Sequence, residues 1–136
     1  EALNNEGASY GLPPSSVAKI DDVRLRGLES LEIMRQAGVT MAYGTDLLGA
    51  MHRHQSEEFV IRGRVLPAIE VIRSATVNAA ELIGMPGKIG VIAPDAYADL
   101  IVVDGDPLAD LSLLTGQGGH LPIIMKSGDF IKNELN

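Results

Sequence analysis

The chain has 136 residues, 46% of them apolar and 21% charged, enough for one domain that buries roughly two thirds of its unfolded surface. Eighteen acidic against eleven basic residues leave a net charge of −7, which argues against nucleic acid or an anionic membrane as the main partner, since both demand a positive face. Cysteine is absent, so no disulfide staples the fold and any metal site must draw on His, Asp, Glu or a modified Lys; the absence suits a cytoplasmic protein.

The sequence holds no apolar run of the roughly 20 residues that a membrane span needs, and its first residues do not resemble a signal peptide. It opens on Glu1, and residues 1–5 suit the end of a helix begun elsewhere, so the expectation is a piece of a longer protein. Pro13 and Pro14 fix φ and remove donors, which stops any preceding helix. Asp21 or Asp22 then offers an N-cap, and Val23, Leu28, Leu31 and Met34 recur at helical spacing. Gly38 is a natural residue to end that helix in left-handed backbone. Residues 39–43 follow as a short, apolar, buried strand, so that helix, turn and strand make half of a βαβ unit.

Gly44, Thr45 and Asp46 end that strand. By spacing alone this is either an ordinary Asx turn or a carboxylate at the C-terminal mouth of a parallel strand, where barrel enzymes keep their active sites. His52 and His54 lie in the following loop, as ordinary loop residues or as contacts to a substrate or a neighbouring loop.

From Ser56 to Gly84 the pattern is helical, with Pro67 placed to start a second helix and Ala68, Ile69, Ile72, Ala75, Ala79, Ala80 and Leu82 forming a packing surface. After Met85 the composition changes to short Val- and Ile-rich runs split by Gly and Pro, read as strands joined by turns. Asp106 and its neighbours suggest a capped short helix or turn, and Ser127, Gly128 and Asp129 mark a hairpin. These changes divide the chain into residues 1–84, an α/β portion, and residues 85–136, a small β portion. Neither half looks self-sufficient, because a lone strand and a few short ones cannot cover their own faces. The missing cover is either further chain or copies of this one in a homo-oligomer.

Three ordered stretches, "AGVTMAYGTDLLG", "VIRSATVNAAELIGM" and "GKIGVIAPDAYADLIVVDGDPL", resemble the C-terminal third of the amidohydrolase superfamily, in the branch of imidazolonepropionase and the metal-dependent prolidases. The resemblance runs over nearly the whole chain. It implies the last part of a (β/α)8 barrel, with residues 39–43 as its eighth strand, followed by strands of a small β-sandwich whose remainder lies in the missing N-terminal part. Asp46 would match the strand-eight aspartate that serves as metal ligand and as catalytic general acid/base. The metal would be one or two divalent ions, zinc by preference, and the substrate a dipeptide or other small molecule with an amide C–N bond. The family's other ligands, an H-x-H pair on strand one, a carboxylated Lys or Glu and two later histidines, have no match here. The resemblance therefore implies an enzyme only as part of a longer protein and an inactive chain by itself. A non-catalytic assembly or binding fragment, a cyclic-amide hydrolase and a deaminase are the alternatives. "HRH" follows strand eight and is not that H-x-H pair, which leaves His52 and His54 as substrate-contact candidates. Asp99, Asp104 and Asp106 fall in the sandwich and are expected in turns. Asp95 stands where the family usually has Gly, at a turn that Asp tolerates in left-handed backbone.

Overall fold

The computed structural model describes residues 13–135 together with Ser9 and Gly11. The helix end read at residues 1–5 lies outside the described residues.

Helix α1 spans Pro14–Gln36, eight or nine residues earlier than the Asp21/Asp22 cap would start it. The two prolines do not merely stop a preceding helix. Pro13 takes the non-helical cap conformation, φ −66° and ψ 150°, and Pro14 sits in the first turn, where its missing N–H costs nothing. Gly38 ends α1 as expected, at φ 70°. Its N–H donates to the Arg35 carbonyl and that of Val39 to the Met34 carbonyl, both at 3.0 Å. This 5→2 and 6→1 pair is a Schellman motif, and it turns the chain sharply into residues 39–43.

Residues 39–43 stand outside any ladder among the described residues. A 3₁₀ helix, Gly49–Glu57, runs into α2, Glu58–Arg62. The second of the two helices read between Ser56 and Gly84 is itself split, into α3 at Ala68–Ala75 and α4 at Val77–Leu82. Pro67 caps α3 from outside rather than opening it, at φ −56° and ψ 142°. Thr76, at φ −123° and ψ −97°, breaks α3 from α4. The breaks swing small residues inward: Val71, Ser74 and Ala80 are buried, and Leu66 joins them.

The downstream portion forms one three-stranded antiparallel sheet in the order β1–β2–β3, Leu100–Val102, Ile123–Lys126 and Asp129–Asn133. Ser127 and Gly128, at φ 52° and 90°, make the two-residue turn between β2 and β3, and the register pairs Lys126 with Asp129. Paired positive φ values match the right-handed twist of the strands they join. Of the Val- and Ile-rich runs, only Leu100–Val102 pairs as a strand before Ile123; Ile89 meets Pro86 in an isolated parallel bridge. Between β1 and β2 a 3₁₀ turn, Leu111–Leu114, packs on α2 and buries Leu114. Asp95 does adopt left-handed backbone, at φ 65°. Asp106 accepts from the Leu108 N–H and Asp110 from the Ser112 N–H, both at 2.9 Å, while Asp99 accepts from Ser127 N–H and the Lys126 ammonium. Those carboxylates shape turns.

Among the described residues no helix is long and apolar enough to cross a membrane.

Candidate active site

The segment that leads to Asp46 is held by side chains and backbone of three helices. Asn78 of α4 donates through Nδ2 to the Met41 carbonyl at 2.9 Å. Arg62 of α2 donates through Nη2 to the Ala42 carbonyl at 3.0 Å. The Tyr43 N–H donates to the carbonyl of Ser74 in α3, at 2.9 Å. Three consecutive residues are thereby fixed without a strand beside them. An isolated backbone segment would otherwise leave these polar groups to water or unpaired.

Side chains complete the frame. The Tyr43 ring lies 4.6 Å from that of Phe59, centroid to centroid, with the Arg62 guanidinium 5.5 Å over its face. The Tyr43 hydroxyl donates to the Gln55 carbonyl at 2.6 Å, which ties the far end of the histidine-bearing loop back to the segment. Burial pushes the Tyr43 phenol far above its ordinary 10.0; the Glu58 charge adds to that, and Arg62 opposes it. Arg62 is itself only 8% exposed. Its Nε donates to Glu58 Oε1 at 2.5 Å, so the buried cation has a carboxylate partner.

Asp46 leaves this frame in an unusual backbone state, φ 51°, with its side chain at the surface. Left-handed backbone at a non-glycine residue persists where the surroundings determine it, and such residues gather at functional sites. Thr45 and Leu47 on either side line a cleft of about 420 Å³ whose other wall is the apolar face of α1, through Val23, Leu28 and Leu31.

His52 and His54 both fall in the Gly49–Glu57 3₁₀ helix. His52 is exposed, while the His54 side chain is mostly covered and lines the cleft. His54 Nδ1 is 2.6 Å from Glu57 Oε1, and its Nε2 accepts from Arg53 Nε at 3.1 Å. That arrangement engages both ring nitrogens within the loop. The described residues contain no group of three or more His, Asp or Glu side chains able to hold a metal ion. Asp46 is therefore not joined there by a set of co-ligands. His120, beside the Gly116–Gly118 turn, is exposed, and its carbonyl accepts from the Asp104 N–H.

The sequence match runs over the whole of this frame: the model of the Amidohydrolase family matches residues 1–128. The chain belongs to the amidohydrolase family.

Members of this family are hydrolases acting on C–N bonds, generally with a metal. The chain superposes on a crystal structure of an amidohydrolase with a TM-score of 0.92 and 55% identity, covering 99% of this chain and 33% of that one. A prolidase crystallised with N-methylphosphonate-L-proline is 48% identical, with a TM-score of 0.89 over 97% of this chain and 32% of the other. Among curated relatives, a 5-methylthioadenosine/S-adenosylhomocysteine deaminase of Haloquadratum walsbyi is 34% identical over 78% of this chain and 25% of its own length. An imidazolonepropionase of Ralstonia nicotianae is 33% identical over 85% of this chain and 28% of its own length. The chain thus spans about a quarter of the curated relatives it matches and a third of the solved ones.

Sequence reasoning singled out Asp46 but missed Arg62, Asn78 and Glu58, which build the frame around it. Arg62 carried one local signal: a cation directly after the apolar run Phe59, Val60 and Ile61. Asn78 lay in the quoted "SATVNAA" stretch, without any local hint of which backbone it meets.

Proposed function

We propose that this chain is the C-terminal portion of a metal-dependent amidohydrolase that cleaves amide or peptide C–N bonds, with dipeptides ending in proline as the leading substrate class. Residues 1–84 belong in this reading to the (β/α)8 barrel, with residues 39–43 as its eighth strand, and residues 85–136 to the small β-sandwich. The observation that carries the substrate class is the 48% identity, over nearly the whole chain, to a prolidase bound to a proline phosphonate.

Asp46 is the reacting carboxylate. It accepts a proton from the water whose oxygen attacks the scissile carbonyl, and it passes that proton to the departing nitrogen as the C–N bond breaks. A divalent ion, zinc by preference, belongs to the same reading, with Asp46 as one ligand. The described residues alone do not fit such an ion, since zinc sites take three or four protein ligands and no group of three is present among them. The other ligands come from the rest of the barrel, and the chain by itself is inactive. In this reading His52, exposed on the loop beyond Asp46, and His54, lining the cleft, contact the substrate or a neighbouring loop; their exposure and position support it. A homo-oligomer in the cytoplasm completes the picture.

The second reading is a deaminase of the same family, favoured by the 34% identity to the adenosine-type deaminase. Both reactions use the same water attack and differ in the nitrogen released. The test is a substrate panel given to the whole protein: Xaa-Pro dipeptides, cyclic amides and aminopurine nucleosides. Release of free proline is the expected result. Ammonia from the nucleosides alone would move the assignment to the deaminase, and opening of cyclic amides alone would exclude the dipeptidase. No turnover of any C–N substrate would leave a binding or assembly role.

A further inference from the structure

We infer that Arg62 is the positioning residue for Asp46, acting through the Ala42 carbonyl and the Tyr43 ring. The inference rests on the reading of Asp46 as the reacting carboxylate.

A buried guanidinium is a poor choice for stability alone. Apolar residues of similar volume in place of a buried ion pair often leave a fold as stable or more so. Arg62 is 8% exposed, and its Nη1 is buried with no hydrogen-bond partner among the described residues. Such a group calls for an explanation beyond packing.

The geometry supplies one. The planar fork makes different contacts along different directions: Nε to Glu58 at 2.5 Å, Nη2 to the Ala42 carbonyl at 3.0 Å, and its central carbon over the Tyr43 ring, 5.5 Å from the centroid. Glu58 fixes the fork, the fork fixes the peptide plane after Ala42, and its charge over the ring helps to set Tyr43. That ring then carries the hydroxyl that holds Gln55 at 2.6 Å. Asp46 sits between those two anchored points, at φ 51°. Holding both ends of the loop helps to keep Asp46 in that state, and Arg62 serves both ends. A lysine, a compact charge on a flexible stem, lacks the rigid fork that holds all three partners in fixed directions.

The experiment places Arg62→Lys in the whole protein and measures turnover of whichever C–N substrate the wild type accepts. The partners of Arg62 in the structure are the Glu58 carboxylate, the Ala42 carbonyl and the Tyr43 ring. We expect kcat to fall about tenfold or more while KM stays within about twofold, as for loss of orientation rather than of binding. Millimolar guanidinium added to Arg62→Ala should restore part of kcat. Unchanged kcat, or a loss carried by KM with no rescue, overturns the inference. If Arg62→Lys does not fold, Glu58→Gln loosens the fork while leaving it in place. It should lower kcat at constant KM, and unchanged kcat again overturns the proposal. Should the wild type turn over no C–N substrate, the functional reading fails, and the positioning claim is read from backbone amide shifts instead. In Arg62→Lys, or in Glu58→Gln where the first variant does not fold, the amides of residues 44–47 should move while those of the β2–β3 hairpin stay. No movement at residues 44–47 overturns it.

Discussion

The hydroxyl of Tyr43 donates to the backbone carbonyl of Gln55 at 2.6 Å, so one side chain closes the loop that carries Asp46, His52 and His54. The residue before the loop thereby fixes its length and its exit, whatever the residues between them do.

Removing that hydroxyl in Tyr43→Phe should cost about 1 kcal/mol, the net worth of one intramolecular hydrogen bond. A urea titration will show it as a lower midpoint at unchanged slope. The same phenol gives an alkaline signature. Unfolded, it ionises near 10.0; folded, burial holds its proton to higher pH. Above that value the native chain binds more protons than the unfolded one, so its stabilisation is complete below pH 10 and declines as pH rises further. Tyr43→Phe should flatten that decline, and an equally steep one in the variant would assign it to another group.

Asp46→Asn keeps the size and the tolerance for left-handed backbone but cannot accept a proton. In the whole protein, turnover should vanish while the circular dichroism spectrum is retained. Survival of activity within about tenfold would remove Asp46 from the chemistry. Asp46→Gly, by contrast, relieves the φ of 51° and should raise stability by about 0.5 kcal/mol, the strain released less the chain entropy of glycine. A drop in the urea midpoint would show that the backbone there is unstrained.

Gly87 and Gly90 share a φ of 73° yet differ in what surrounds them. A methyl group on Gly90 would sit 2.6 Å from the Thr76 carbonyl carbon and oxygen, both backbone atoms, whereas one on Gly87 would meet nothing within 4 Å. Gly87→Ala should cost about 1 kcal/mol for conformation alone. Gly90→Ala should cost about 3 kcal/mol, because the break between α3 and α4 must also shift. Thermal melts of the pair decide this, and equal losses would mean that the close approach relaxes freely.

Asp99 fastens the β2–β3 turn, accepting from the Lys126 ammonium at 2.5 Å and the Ser127 N–H at 2.7 Å. Those donors hold its carboxyl below the ordinary 3.8, Lys126 first and the Ser127 amide second. A depressed pKa contributes stability that is present above the unfolded value and lost as pH falls through the folded one. Acidification below pH 3.8 should therefore loosen this turn, seen as lower hydrogen-exchange protection at Ser127 and Gly128, each rate taken relative to the intrinsic rate at that pH. Asp99→Asn should show the same loss of protection already at neutral pH.

What was legible in the sequence follows from how far each interaction reaches. Gly38 and Asp95 are local matters of φ, and the Ser127–Gly128 hairpin is a two-residue turn; all three could be read from residue type. The start of α1 was misplaced because Asp21 and Asp22 are good caps in isolation, while the Pro13–Pro14 pair initiates a helix only in the geometry observed. Residues 56–84 kept helical spacing throughout, so nothing in the period revealed the break at Thr76, which admits the backbone around Gly90. Asp46 was singled out by the short Gly-Thr-Asp stretch it ends. Its supports were not, since Arg62 and Asn78 reach Ala42 and Met41 across 20 and 37 positions. Hydrophobic periodicity carries no information about such a contact.

The side chain of Gln117, a residue at φ 56°, donates through Nε2 to the Arg53 carbonyl, between the two loop histidines and 64 positions away in the chain. The turn that offers this glutamine belongs to the portion that carries the sheet, far from Asp46 in sequence. Inheritance of loop shape is therefore shared between two distant stretches of coding sequence. Recombination that exchanged only the histidine loop between relatives would import its residues without the glutamine that shapes them, and a graft meant to transfer specificity must carry both.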